Sequence, residues 1–190
     1  MRCGAALLML CLTATPAPAQ TWAVDDGRAE IVFSVRPLWL KRIEGRFPVL
    51  EGEMNRDPVN GMLTVDVRVD ARAVQMGRAS LVTWAQSDEF FDVARHPWIR
   101  FRSESLGPER LGEGGSIQGY ATLRGITQPV QFELIPADCE RPGIDCPLQA
   151  RSEVSRSAFG MASHRRTLGD VVRLDFSVWL REAATTASTP

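Results

Sequence analysis

The sequence predicts an all-β, antiparallel domain, folded as a sandwich or a closed barrel. Three observations predict it: apolar residues recur at every second position, turn formers separate the alternating runs, and only two short segments break the alternation. Ile31, Phe33 and Val35 share one phase. Leu63, Val65, Val67 and Val69 share another, with Thr64, Asp66, Arg68 and Asp70 on the opposite face. Ile99 and Phe101 oppose Arg100 and Arg102, and Leu174, Phe176, Val178 and Leu180 oppose Arg173, Asp175 and Arg181. Such runs are half-buried strands.

Before the first strand, Arg2, the apolar run Ala5 to Leu12 and the small residues Ala17-Pro18-Ala19 read as an export leader over 1–19, removed after Ala19. The residues before Cys11 lack the small side chains of a lipidation site. No later stretch approaches the ~20 apolar residues of a transmembrane helix. The domain is expected over 20–182, followed by a disordered polar tail over 183–190. An outer-membrane barrel would place aromatic girdles at its strand ends, whereas here the aromatics fall on several phases.

Further strands are expected at Glu44 to Met54, Ser116 to Arg124, Pro129 to Ile135 and Leu148 to Phe159. Asp25-Asp26-Gly27, Asn55 to Pro58 with Asn60-Gly61, Gly107-Pro108, Gly112 to Gly115 and Gly125 supply the turns. Pro37 to Arg42 and Gly77 to Gln86 are irregular or helical, and Ala79 to Gln86 has the length of two helical turns without interior Gly or Pro. Cys139 and Cys146, in a turn-rich segment of an exported chain, are expected to form a disulfide.

The charge balance, 22 basic against 23 acidic residues, offers no basic field for nucleic acid. The two histidines, His96 and His164, are far apart in sequence, so no metal site is drawn, and His96 reads as a structural, hydrogen-bonded residue. Gly-x-Ser-x-Gly, a phosphate-cradling loop and His-Glu-x-x-His are all missing from the sequence. The strand phases put the acids outside, against an enzyme acting within the interior. No cofactor is expected.

The order of motifs resembles the YceI-like polyisoprenoid-binding proteins of bacterial periplasms. Trp22-Ala23-Val24-Asp25, Ile31 to Val35, Gly45-Arg46-Phe47 and Gly52-Glu53-Met54 open the resemblance. Ser87 to Asp92 followed by His96 to Phe101, the glycine-rich hairpin Gly119 to Val130, and Arg156 to Met161 with Gly169 to Val172 complete it. It implies an eight-stranded, lipocalin-like antiparallel barrel with one short helix, exported to the periplasm, with a polyisoprenoid chain in an apolar interior. Two features depart from the family: Leu81, Val82 and Trp84 stand where charged residues and a histidine are usual, and Ala158 replaces an acid.

The residues then expected at the cavity and its rim are Phe33, Trp39, Leu40, Phe47, Trp84, Phe90, Phe91, Phe101, Leu123, Phe132, Phe159 and Phe176. Trp39, Leu40, Trp84, Phe90 and Phe91 concentrate bulk in segments that are ordinarily polar, which favours a lid over plain packing. His164, Arg165 and Arg166 offer a cationic lip to a phosphate or quinone head group. The alternative is an interaction or stress protein with a closed core and no ligand. The expected partner is an apolar lipid, and oligomeric state stays open between monomer and homodimer.

Overall fold

The structure, a computed structural model, describes residues 20–37, 42–48, 50–164 and 166–182. The expected leader, Trp39, Leu40, Arg165 and the expected tail lie outside the described residues. The strands are β1 (Gln20–Val24), β2 (Glu30–Pro37), β3 (Ile43–Phe47), β4 (Leu50–Arg56), β5 (Leu63–Asp70), β6 (Gln75–Met76), β7 (Trp98–Ser103), β8 (Gly115–Leu123), β9 (Ile126–Leu134), β10 (Leu148–Ser155), β11 (Leu168–Val178) and β12 (Leu180–Glu182). They form one antiparallel sheet in the order β12-β1-β4-β5-β7-β8-β9-β10-β11-β2-β3-β6.

The described residues therefore form twelve strands, not eight, and the cause is local. The turn at Asp25, where Ala29 N–H donates to Asp25 O at 2.9 Å, splits one edge-to-edge run into β1 and β2. Pro48, lacking an N–H, interrupts the expected Glu44 to Met54 strand between β3 and β4. Trp179 divides β11 from β12, its carbonyl turning to accept from Asp25 N–H at 2.8 Å. β1 lies between β12 and β4 while β2 lies between β11 and β3, so the divided runs keep common partners and the sheet curls around one interior. β6 is a two-residue addition to β3.

The expected helix forms as α1 (Ala79–Gln86), and a four-residue α2 (Arg110–Glu113) and 3-10 turns at Ala71–Ala73 and Arg156–Phe159 accompany it. Helix α1 has no side-chain cap and buries only Ala85. Its position rests on tertiary bonds: Gln86 Nε2 donates to Arg72 O at 2.8 Å, and Phe91 N–H to Ala85 O at 2.9 Å. The β8–β9 hairpin turns through Arg124 and Gly125, with φ of 55° and 73°. Both central residues of such a two-residue turn need positive φ, which glycine adopts without strain.

Inside, Phe101, Phe132 and Phe176 stack edge to face at 4.6 and 5.0 Å, and Phe33, Phe47 and Phe91 form a second aromatic group at 5.2 to 5.7 Å. Outside, register partners carry opposite charges: Arg68 with Glu51, Arg102 with Asp66, Arg151 with Asp175, and Arg173 with Glu153. Each such exposed pair contributes only about 0–1 kcal/mol, but together they oppose a one-residue slip of register.

One junction of the sheet is sparse. β8 meets β9 at nine register pairs and β10 meets β11 at eight, whereas β9 and β10 share two, Ala150 with Leu134 and Arg151 with Glu133. On one side Ile135 N–H still donates to Gln149 O at 2.8 Å, but past Arg151 and Glu133 side chains replace the ladder: Ser152 Oγ donates to Gln131 O at 2.6 Å and Gln128 Nε2 to Ala158 O at 3.2 Å.

Candidate functional site: an apolar interior cavity

The inward phases of the strands do not fill the barrel. They leave a cavity of about 250 Å³ whose lining is apolar almost throughout. Phe33, Phe47, Phe90, Phe91, Phe101, Leu123, Phe132, Phe159 and Phe176 all line it, as do Met54, Ala121, Ala150 and Leu180. Among the described residues, no aspartate, glutamate, histidine, serine or cysteine is in the lining. Walls of this composition can exclude water and hold hydrocarbon.

The end bearing α1 is the more elaborate. Phe90 and Phe91 reach into the interior from the loop after α1, which Arg124 holds by donating from Nη1 to Phe90 O at 2.7 Å. Asp92, buried and at φ 52°, turns the chain there: its carbonyl accepts from Arg95 and His96 N–H at 3.1 and 2.8 Å, and its carboxylate pairs with Arg95 at 2.8 Å. His96 packs over Gly125, where an added Cβ would stand 3.1 Å from the imidazole.

Trp84 is not part of the lining. Its ring sits 4.1 Å from that of Phe90, on the outer side, and its Nε1 donates to Glu89 at 3.1 Å. His164 is exposed, with its ring 5.5 Å from Trp84 and its Nε2 3.1 Å from the same Glu89 oxygen. His164, and after it Trp84, hold the Glu89 carboxyl below its ordinary value. Arg166 is exposed, and Arg165 lies outside the described residues. The structure thus brings His164 onto the aromatic rim but sets neither it nor Arg166 in the cavity wall.

Two arginines, Arg100 and Arg156, are in the lining although strand phases set them outward, and Arg156 is the buried one. Arg156 is 1% exposed and borders the cavity. Instead of continuing β10 to Phe159, the chain winds into the 3-10 turn there, because Gly160 at φ 77° ends the segment. The turn carries the Arg156 guanidinium inward, where it donates to the carbonyls of Met161 at 2.6 Å, Ser163 at 2.7 Å, Gly169 at 3.0 Å and Leu168 at 3.2 Å. Its signal in the sequence was its place three residues before Phe159, on the same side of a helical turn.

Beside it, on the outer face, Asp170 accepts from Ser155 Oγ, from Ser157 Oγ at 2.9 Å and from Ser157 N–H at 3.1 Å. The Ser155 bond first, then those of Ser157, lower the Asp170 pKa against an opposing contribution from burial. A depressed carboxylate contributes stability above its unfolded value, near 3.8, and loses it as pH falls through the lower folded value. Asp170→Ala is thus expected to lower the melting temperature at pH 7, with the gap from wild type closing in more acidic buffer. Melts at both pH values check this, and a gap independent of pH would refute it.

Among the described residues, no group of three or more His, Cys, Asp or Glu side chains could hold a metal ion, and no helix is long and apolar enough to cross a membrane. Cys139 and Cys146 are joined in a disulfide, with Cα atoms 6.2 Å apart.

A family model described as the YceI-like domain matches residues 22–180, from within β1 to the start of β12, and takes in every lining residue of the cavity just described. The chain belongs to the YceI-like family. This YceI-like protein is 30% identical over 117 residues to a UPF0312 protein of Vibrio cholerae, covering 60% of the chain and 61% of that relative. It is 29% identical over 133 residues to a UPF0312 protein of Yersinia pestis, covering 68% of each. Among solved structures, its fold matches BcnA of Burkholderia cenocepacia with a TM-score of 0.68 at 17% identity, over 83% of this chain and 99% of that one. A polyisoprenoid binding domain from Saccharophagus degradans, implicated in plant cell wall breakdown, matches with a TM-score of 0.65 at 11% identity, over 85% and 98% of the two chains.

Proposed function

We propose that this YceI-like protein is a periplasmic carrier or store for one slender apolar lipid of the polyisoprenoid class, held in the barrel interior, and that it performs no chemistry on it. The observation that carries the reading is the apolar cavity of about 250 Å³. A void of this kind stays dry and favours hydrocarbon over water. Each methylene it takes from water contributes roughly 0.8 kcal/mol, part of which is offset by ordering the chain. The polyisoprenoid binding domain from Saccharophagus supports the reading as an analogy of fold. Lining residues without a titratable pair support a binding role over a catalytic one.

Among the described residues the charged members of the lining are Arg100 and Arg156, which are engaged by Asp66 and by four main-chain carbonyls, so a phosphate or quinone head group belongs at the rim. His164, Arg165 and Arg166 are the candidates to meet it there. Export through the leader over 1–19 would bring the protein to the compartment in which the Cys139–Cys146 bond persists.

Protein isolated from its own periplasm should carry a non-covalent lipid in native mass spectra. Prenyl lipid added to emptied protein should raise the melting temperature by about 5–10 °C at a hundredfold excess over Kd, with little dependence on salt. Empty spectra, together with unchanged melting and tryptophan fluorescence, would replace this reading with that of an interaction protein with a closed core.

A further inference from the structure

The end of the interior opposite α1 is shut by two separate caps. One is the segment between β7 and β8, where Leu106 and Leu63 exchange main-chain hydrogen bonds of 2.8 and 2.9 Å, both side chains buried, and Leu111 of α2 packs onto the same cluster. The other is the loop that Cys139–Cys146 staples. Gly143 O accepts from Leu180 N–H at 2.7 Å, Gly143 N–H donates to Cys146 O at 2.7 Å, and Ile144 packs into the core cluster. Gly143, at φ 90°, lies so close that an added Cβ would stand 2.8 Å from Leu180 Cδ1. Immediately inside these caps, Leu180 and Met54 are 4% and 3% exposed and line the cavity.

A tube closed at one end measures what enters it. Along β11 and β12 the lining runs from Leu168 to Leu180. At ~3.3 Å per residue and the ~40° tilt of barrel strands, that depth is about 30 Å. An extended isoprene unit, built from C–C bonds of ~1.5 Å, advances about 5 Å. The cavity's small volume leaves no room for the chain to double back. We infer that the barrel is a length ruler: it buries about six isoprene units, Leu180 and Met54 form its floor, and any further units remain outside the rim. This rests on the proposed lipid-binding function and specifies its substrate class.

The test is a series of all-trans prenols of roughly two to ten isoprene units, delivered from one detergent and titrated against the intact, oxidised protein emptied of lipid. Kd should fall at least tenfold for each unit added up to about six, because each brings about five more carbons out of water. From about six to ten units it should change less than about threefold. Leu180→Ala, or Met54→Ala should the first variant not fold, should move the break to longer chains. An affinity that keeps climbing by the same factor to about ten units overturns the ruler. A break that stays in place in a folded floor variant overturns the assignment of the floor. No binding at any length overturns instead the lipid-binding function on which the ruler depends.

Discussion

Replacing Arg156 with methionine will lower stability by about 3–5 kcal/mol, a fall in melting temperature on the order of 10 °C for a domain of this size. Methionine keeps most of the side-chain volume and removes the donors. The carbonyls of Met161, Ser163, Leu168 and Gly169 would then lose the guanidinium in a place where water does not readily substitute. A buried acceptor left without a donor costs about 1–3 kcal/mol, and some relaxation of the loop between β10 and β11 brings the total below the simple sum. Lysine will not restore the loss, because one ammonium cannot reach carbonyls spread around a planar fork. Urea and thermal unfolding measure the effect, and a loss under about 1 kcal/mol would show that the guanidinium is not what holds the loop.

The largest effect on binding is expected from Ala121→Phe. Ala121 is the cross-strand partner of Phe101 on β8 and lines the middle of the cavity. A phenyl ring there occupies the space a lipid chain would use, so prenyl lipid should bind at least a hundredfold more weakly, a loss of about 2.7 kcal/mol or more. Stability should change little, because filling a void offsets much of the ~1–3 kcal/mol that overpacking costs in a tight core. Wild-type affinity in a folded Ala121→Phe protein would place the ligand elsewhere.

The period-two runs identified β2, β5, β7 and β11 and their buried faces, because each strand has one apolar and one solvated side. Helix α1 was legible from an uninterrupted stretch of helix-compatible residues, and the disulfide from two cysteines in a turn-rich loop. Trp179 was not legible as a break: it sits in a strand-like run, and its role comes from Asp25, distant in sequence. Arg156 was missed because an arginine in a predicted strand reads as solvated. Its burial depends on a turn that aims it at carbonyls from a later segment. Trp84 was expected at the cavity or its rim; α1 buries only Ala85, and the indole packs against Phe90 without lining the cavity.

The sparse junction between β9 and β10 gives the barrel an uneven wall. At β8–β9 or β10–β11, parting two strands means breaking a continuous ladder, and the cost rises with every residue opened. Along this line, past Ala150 and Arg151, the joint depends on a serine hydroxyl and a glutamine amide, groups that can exchange a protein carbonyl for water by rotating a side chain. The molecule therefore has a grain, like split timber: stiff around most of its circumference, with one lengthwise direction along which it yields first.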